Sequence, residues 1–172
     1  SNKKNSNIKI NSIDQPLILG SLIPKQKALR EELKLSENLS FCKTESTNSW
    51  LVKIAKKYLN TPYLWGGRTP LGIDCSGYTQ IVYRYFNINL PRDAYQQVEK
   101  GNPVLNLQNS QIGDLAFFGT SKTTTHVGII LDKNKIIHAS GKVRIDSLDQ
   151  KGILNIDSKS YSHKLQAIKR VL

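Results

Sequence analysis

The sequence predicts an α+β domain in which helices come first and an antiparallel β-sheet follows. Apolar residues recur at helical spacing in two segments, residues 48–59 and 76–86. Residues 87–110 are mostly predicted as loop, with one short helix at 93–100. Five short strands are then predicted, at residues 115–118, 126–131, 135–139, 143–147 and 165–171. Helices followed by a run of strands favour this class over alternating βαβ units.

The first part of the chain differs from the rest in composition. It is rich in Asn, Lys and Ser, with strand-like patches at residues 7–10 and 16–24 and either a short helix or an extended linker at 25–35. Two strands alone do not form a stable domain, so the patches either pack on the rest of the chain or form a disordered arm. We therefore predict a boundary between residues 1–47 and a main domain at 48–172.

The charge balance is strongly basic, with 25 Lys and Arg against 13 Asp and Glu in 172 residues. Basic charge raises nucleic acid as a partner, but the lysines are dispersed and no nucleic-acid motif occurs, so none is expected. Attraction to an anionic surface, such as a cell wall, is the better interpretation, and a solvated lysine-rich surface is the alternative. The sequence has no apolar run that could span a bilayer and no signal-peptide pattern.

Two cysteines are present, Cys42 and Cys75. Cys75 lies where the Gly-rich loop at 72–77 meets the second predicted helix, and Asp74 is placed to cap that helix. The free N–H groups and the dipole at a helix start favour a thiolate. This predicts a lowered thiol pKa and a nucleophilic Cys75, with a buried structural cysteine as the alternative. Cys42 is interpreted as a structural or half-exposed thiol, because a disulfide would remove the nucleophile.

A cysteine nucleophile needs a base, which is usually histidine. His126 and His138 lie in two predicted strands joined by a polar turn at 132–134. With a three-residue loop, Gly128 faces His138, and both imidazoles share one face of the hairpin, about 7–8 Å apart between Cα atoms. A slip of one residue would separate the rings, and two unrelated strand histidines are the alternative. The third histidine, His163, lies in a polar stretch and is predicted to be a solvated surface residue.

No Cys-x-x-Cys or His-Glu-x-x-His spacing occurs in the sequence. We therefore expect no metal site, and nothing in the motifs implies a cofactor.

Five motifs occur in order along the chain: Tyr63-Leu64-Trp65-Gly66-Gly67, Asp74-Cys75-Ser76-Gly77, Gly113-Asp114-Leu115, His126-Val127-Gly128-Ile129 and Ile137-His138-Ala139-Ser140. Together they resemble the NlpC-type cell-wall cysteine peptidases over about residues 47–172, which implies a papain-like fold. The segment at 141–148 and the late Lys169-Arg170 resemble the subgroup with SH3-like domains before the peptidase, the γ-D-glutamyl-L-diamino acid endopeptidases. Residues 1–47 would then be the remnant of an SH3-like domain.

The resemblance implies a role for each catalytic residue. Cys75 matches the nucleophile of the family and His126 matches its base. His138 matches the orienting third member. Tyr63 matches the tyrosine whose hydroxyl helps to form the oxyanion hole.

The resemblance also implies a set of substrate-binding residues. Asp74 matches the acid that meets the free amine of an N-terminal L-alanine. Ser76 and Arg92 match positions that line the site, with Arg92 on the D-glutamate α-carboxylate. A surface ion pair between Arg92 and Asp93 is the alternative. Asp93 and Trp65 complete the candidate set, and Ala94 stands where members of the family often carry Ser.

The implied activity is hydrolysis of peptidoglycan stem peptides between γ-linked D-glutamate and the diamino acid, through an acyl-enzyme. Acyl transfer on the same scaffold and a non-catalytic wall-binding module are the alternatives. The expected partners are peptidoglycan-derived peptides with a free N-terminal L-alanine. The expected location is the cell envelope, periplasmic or secreted, with a cytoplasmic recycling role as the alternative.

Overall fold

The computed structural model describes residues 7–10, 13–16 and 47–172. The chain divides into two compact units, Ser1–Thr44 and Glu45–Leu172. In the first unit, β1 (Asn7–Ile10) and β2 (Ile13–Pro16) pair in antiparallel fashion. The predicted strand at 7–10 is thus confirmed, and β2 is a strand that the sequence did not predict. Of the predicted strand at 16–24, residues 17–24 lie outside the described residues. The helix or linker at 25–35 and Cys42 lie outside the described residues, and the SH3-like interpretation of residues 1–47 stays a prediction.

Three α-helices occur in the described part of the second unit. Helix α1 (Thr47–Lys56) buries Leu51, Ile54 and Ala55, which lie three and four residues apart on one face. Helix α2 (Cys75–Arg84) is buried at every position up to Tyr83, because the sheet covers it as well as its helical neighbours. The sequence predicted only one buried face for this helix and so underestimated its burial. Helix α3 (Ala94–Gln97) is half as long as the helix predicted at 93–100.

The strands form an antiparallel sheet that closes on itself. Two short strands, β3 (Arg68–Thr69) and β4 (Gly72–Ile73), form a separate hairpin before α2. The large sheet contains β5 (Asn102–Pro103), β6 (Leu115–Gly119), β7 (Thr124–Asp132), β8 (Lys135–Ser140), β9 (Lys142–Leu148), β10 (Gly152–Leu154) and β11 (Tyr161–Arg170). Their order is β10-β9-β8-β7-β6-β11-β5, and β10 also pairs with β11.

Strand β11 closes the ring because its two halves have different partners. Its first residues pair with β10, and its later residues pair with β6. The predicted order of helices and then antiparallel strands is confirmed, and all five predicted strands are present. The two-residue β5 and three-residue β10 were missed, because so few residues carry no periodic pattern.

The face of the sheet inside this ring is apolar at one end and carries histidines further along. Ile130 pairs with Ile136, and both belong to a buried apolar cluster with Ala116, Phe118 and Ile168, among others. Side chains two residues apart share a face of a strand. His126 and His138 therefore continue the same inner face. No described helix is long and apolar enough to cross a membrane.

Candidate active site

Cys75 is the first residue of α2, as the Gly-rich junction predicted. Asp74 caps the helix with extended backbone (φ −95°, ψ 175°), and its Oδ1 accepts from the Gly77 amide at 2.7 Å. A Cβ at position 77 would lie 2.5 Å from the Gly67 carbonyl oxygen, so the loop can approach only a glycine there. The Cys75 sulfur also accepts a hydrogen bond from the backbone N–H of Val127, which places the thiol beside β7.

The thiol pKa differs from the prediction. Burial raises the pKa of Cys75, and the charge of Asp74 raises it further. The hydrogen bonds from Val127 and from the helix start lower it but do not offset the burial. The pKa of His126 is well below its ordinary value, because burial and the neighbouring imidazoles of His138 and His163 disfavour its charge. The resting pair is therefore a thiol and a neutral imidazole, and the predicted lowering of the thiol pKa is wrong.

The two strand histidines meet as the hairpin register requires. Gly128 pairs with His138, as predicted. The loop differs, because Leu131 is an extra residue in β7 and the turn shortens to Lys133 and Asn134. His126 Nε2 lies 2.8 Å from His138 Nδ1, with the rings nearly perpendicular at 88°.

The glycine between these histidines has a steric reason. A Cβ at position 128 would lie 2.9 Å from the Cβ of His138 and 2.7 Å from the Cδ1 of Ile136. Both neighbours are buried, so neither has room to move aside. Because position 128 has no Cβ, the side chain of His138 can pack closely against β7.

A buried carboxylate, Asp146, follows His138 in this series and was missed from the sequence. His138 Nε2 lies 2.9 Å from Asp146 Oδ2, and Asp146 is 1% exposed. Arg144 donates to both carboxylate oxygens, from Nε at 2.7 Å and from Nη2 at 2.9 Å, and the Ile156 amide donates at 3.0 Å. Burial alone would raise the pKa of Asp146, but these hydrogen bonds outweigh it and hold the pKa well below its usual range.

A signal for Asp146 existed in the sequence. Arg144 and Asp146 alternate in the strand that follows the histidine hairpin, and extending the same register argument to that strand brings Asp146 opposite Ile136.

The charge of Asp146 determines where each imidazole carries its proton. An ionised carboxylate accepts hydrogen bonds only, so His138 donates from Nε2–H. The His138 Nδ1 is then an acceptor, and His126 donates to it from Nε2–H. This leaves the lone pair of His126 on Nδ1. A neutral His126 in this tautomer has its acceptor nitrogen free for a proton from a nucleophile.

The predicted surface histidine is in fact part of this cluster. The His163 ring stacks on the ring of His126, with centroids 4.0 Å apart and planes 24° from parallel. Its edge contacts Phe118 and His138 at centroid distances of 6.2 and 5.9 Å. Burial, and to a lesser extent the neighbouring imidazole of His138, lower the pKa of His163 to about 4. The sequence missed this contact because it arises only when β11 closes the ring of strands.

The three histidines do not fit a metal centre, although one ring nitrogen from each lies within 4.8 Å of the others. Metal–imidazole bonds of about 2.0–2.1 Å need in-plane lone pairs that converge on one point. His126 and His163 are stacked nearly parallel, so their lone pairs cannot converge. The 2.8 Å contact between His126 and His138 is a hydrogen-bond distance.

The predicted substrate-binding residues Asp74, Ser76 and Arg92 bind one another. Arg92 Nη2 pairs with Asp74 Oδ2, and Nη1 donates to Asp74 Oδ1 at 3.1 Å and to the Ser76 hydroxyl at 2.9 Å. Asp74 also accepts from Ser76 Oγ and from the amides of Gly66 and Gly77. Burial would raise the pKa of Asp74, but the bonds from Arg92 and the amides lower it.

This set of contacts bears on the roles predicted for Asp74 and Arg92, which stay predictions. A carboxylate has about four lone-pair sites, and the Asp74 oxygens already accept from Arg92, Ser76 and two amides. Direct binding of a substrate amine would require one of these donors to leave. Arg92 uses Nη1 and one hydrogen of Nη2, which leaves Nε–H and a second Nη2–H without a partner among the described residues. The predicted alternative, an ion pair with Asp93, is not formed.

The remaining candidates line the same cleft. Its lining includes Tyr63, Trp65, Asp74, Cys75, Arg92, Asp93 and Tyr95. Tyr63 is held by its amide, which donates to the Gly141 carbonyl at 2.9 Å, and by a bridge to Ile73 of β4. Burial raises the pKa of Tyr63, and the nearby Cys75 and Asp74 raise it further, so its hydroxyl stays protonated at neutral pH. Trp65 is 86% exposed at the cleft rim.

The sequence profile described as "NlpC/P60 family" matches residues 60–159 of this chain. The match covers more than half of the 172 residues and includes Cys75, His126, His138 and Asp146. The chain belongs to the NlpC/P60 family.

Two curated relatives illustrate the similarity. The murein DD-endopeptidase MepS/murein LD-carboxypeptidase of Escherichia coli K12 is 44% identical over 79 residues, which are 45% of this chain and 42% of the relative. The gamma-D-glutamyl-L-lysine dipeptidyl-peptidase of Bacillus subtilis is 29% identical over 143 residues, 80% of this chain and 46% of the relative. The chain therefore spans less than half the length of the curated relatives it matches.

Solved structures share the fold. The NlpC/p60 domain of the peptidoglycan hydrolase SagA has a TM-score of 0.55 and 34% identity, covering 59% of this chain and 89% of that one. RipD of Mycobacterium tuberculosis, described as a non-catalytic NlpC/p60 domain protein, has a TM-score of 0.59 and 22% identity, covering 75% of this chain and all of that one. The family thus contains both hydrolases and a non-catalytic binding protein. Whether this chain is an enzyme must therefore be argued from the residues of its own site.

Proposed function

We propose that this chain is a cysteine peptidase that hydrolyses peptidoglycan stem peptides between γ-linked D-glutamate and the diamino acid. One observation carries the proposal, namely that a thiol at a helix start lies beside the strand of His126, whose free Nδ1 is set by the series His138–Asp146. The relatives named as γ-D-glutamyl-L-lysine and murein peptidases support the choice of substrate.

The chemistry begins with proton transfer, because the thiol is protonated at rest. As the sulfur of Cys75 attacks the γ-carbonyl carbon, Nδ1 of His126 takes the thiol proton. The His126 imidazolium is stabilised through His138 by the charge of Asp146. The Tyr63 hydroxyl is the donor that we assign to the developing oxyanion.

The second half of the reaction reverses these proton movements. The His126 imidazolium gives its proton to the leaving amine of the diamino acid, and the D-glutamyl γ-carbonyl stays on sulfur as a thioester. His126 then takes a proton from an attacking water, and the thioester breaks to a carboxylic acid and the free thiol. All atoms of the water end in the two products and the regenerated thiol.

Substrate binding is assigned chiefly to Arg92. Its Nε–H and second Nη2–H point outward from the same planar group, which suits two hydrogen bonds to the α-carboxylate of D-glutamate. Asp74 and Ser76 act by holding the guanidinium in place. The expected preference for a free N-terminal L-alanine is retained as a proposal, and Asp93 and Trp65 are the cleft residues proposed to contact the rest of the stem.

Mass spectrometry of peptide products tests the proposal. The chain is incubated with L-Ala-γ-D-Glu-L-Lys, with its N-acetylated form and with purified muropeptides. We expect hydrolysis by the wild type, none by Cys75→Ala, and nearly full activity in the matched control Cys42→Ser. Transfer of the acyl group to an added amine would indicate an acyltransferase, and binding without products would indicate a wall-binding module. Either result overturns the proposal, as would products from Cys75→Ala.

The proposed location is the cell envelope, where the proposed substrate occurs. The net charge of +12 favours contact with an anionic wall.

A further inference from the structure

We propose that His163 is a positioning residue for the general base, because its ring forms a flat wall that fixes the plane of the His126 imidazole. The inference rests on the proposed function, since it assigns a task to a residue of the same site. His163 lies in none of the five motifs and beyond residues 60–159, which the family profile matches.

The contacts around His126 show what the stacked ring adds. The hydrogen bond to His138 fixes the direction of Nε2 but leaves the His126 ring free to turn about the line between the two nitrogens. Phe118 contacts the ring obliquely, at 5.9 Å and 48°. His163 covers one whole face at 4.0 Å and 24°. This contact removes the remaining rotation, so Nδ1 keeps one position while it exchanges protons.

The position of His163 is itself constrained. The residue lies in β11, paired with Ile153 of β10 at the point where the ring of strands closes. Its Nδ1 lies 2.8 Å from the hydroxyl of Ser162. The strand pairing fixes the backbone of His163, and the contact with Ser162 fixes its ring during turnover.

The charged and titratable groups around His126 favour an uncharged ring at position 163. Strand β8 contributes His138, β9 contributes Asp146 and Arg144 behind it, and β6 contributes the uncharged Phe118. Cys75 begins helix α2 beside the backbone of Val127, the residue next to His126, and the carboxylate of Asp74 precedes it. The pKa of His163 is about 4, so its ring is neutral at neutral pH. A neutral aromatic face stabilises the cation that forms on His126 during attack, whereas a second cation at 4.0 Å would oppose it.

Two substitutions distinguish a contact that requires a planar ring at position 163 from one that only requires a side chain of similar size. His163→Phe keeps a planar ring. His163→Leu introduces a side chain of similar size that is not planar. Misalignment of a catalytic group affects the chemical step more than binding. We expect His163→Leu to lower kcat at least about tenfold with KM within about twofold, and His163→Phe to restore most of kcat. Lys164→Ala, an exposed neighbour in β11, is the matched control and should match wild type.

A spectroscopic measurement gives an independent readout. Nitrogen NMR of the histidine side chains at pH 7 should show a single Nε2–H tautomer for His126 in wild type and in His163→Phe. In His163→Leu we expect a mixture of tautomers, because a tilted ring loses its hydrogen bond to His138.

Three results would overturn the inference. These are wild-type kcat in His163→Leu, an equal loss in His163→Phe and His163→Leu, or an unchanged His126 tautomer in an impaired His163→Leu. Failure of the proposed function is distinguishable, since wild-type protein would then give no hydrolysis products.

Discussion

Asp146→Asn is the substitution that most directly tests the series of contacts behind His126. The change keeps the volume of the side chain and removes its charge. Oδ2 accepts from His138 and from Arg144 Nε, and Oδ1 accepts from Arg144 Nη2 and the Ile156 amide. An amide NH₂ therefore faces existing donors in either orientation. The substitution leaves buried donors without an acceptor whichever way the new side chain turns.

The cost in stability follows from burial. Removing one partner of a buried ion pair costs about 3–5 kcal/mol. Arg144 keeps Asn155 and Asp157 as partners, which favours the lower end, about 3 kcal/mol. For a unit of this size we expect the Tm to fall by roughly 10 °C.

The cost in rate follows from the tautomer. If the amide donates to His138 Nε2, the proton of His138 moves to Nδ1 and that of His126 moves to its own Nδ1. The base then presents N–H to Cys75 and cannot accept a proton. Losing a hydrogen bond to a charged group costs about 1.5–3 kcal/mol, which corresponds to a loss in kcat of roughly 10- to 100-fold.

The assay is hydrolysis of L-Ala-γ-D-Glu-L-Lys at 25 °C and pH 7, with the Tm measured on the same samples. Asp157→Asn is the matched control, because Asp157 also pairs with Arg144 but is 74% exposed and does not touch His138. It should leave kcat within about twofold. A folded Asp146→Asn protein with kcat within threefold of wild type would refute the role assigned to Asp146.

Two further predictions concern the oxyanion donor and acid stability. Tyr63→Phe should lower kcat by about 10²-fold with little change in KM, the usual effect of losing one oxyanion donor, and an unchanged kcat would remove Tyr63 from the mechanism. Because the pKa of His163 is about 4 when folded and about 6.5 when unfolded, the unfolded chain binds the extra proton between these values. The Tm should therefore fall as pH drops from about 6.5 to about 4, and Asp146, whose folded pKa is lowered, adds a loss below about pH 4. Thermal melts from about pH 2 to pH 8 measure both losses, and a constant Tm across that range would contradict the pKa directions.

The elements found from the sequence are those set by neighbouring residues. Helix α2 begins at Cys75 because a Gly-rich loop and a capping Asp74 precede an apolar helical pattern, all within a dozen residues. The pairing of Gly128 with His138 follows from a short hairpin, in which the turn and the alternation of side chains set the register. Even the bulge at Leu131 left the two imidazoles on one face.

What the sequence could not show depends on residues that are distant along the chain. His163 lies on His126 only because β11 pairs with both β6 and β10, and no local pattern records that closure. The ion pair of Arg92 with Asp74 joins residues 18 positions apart, across helix α2 and the irregular segment that follows it. The pKa directions depend on burial, which all packed elements determine together. A helix start alone favours a thiolate, but the tertiary structure removes water from Cys75, and that loss of solvation is the stronger effect.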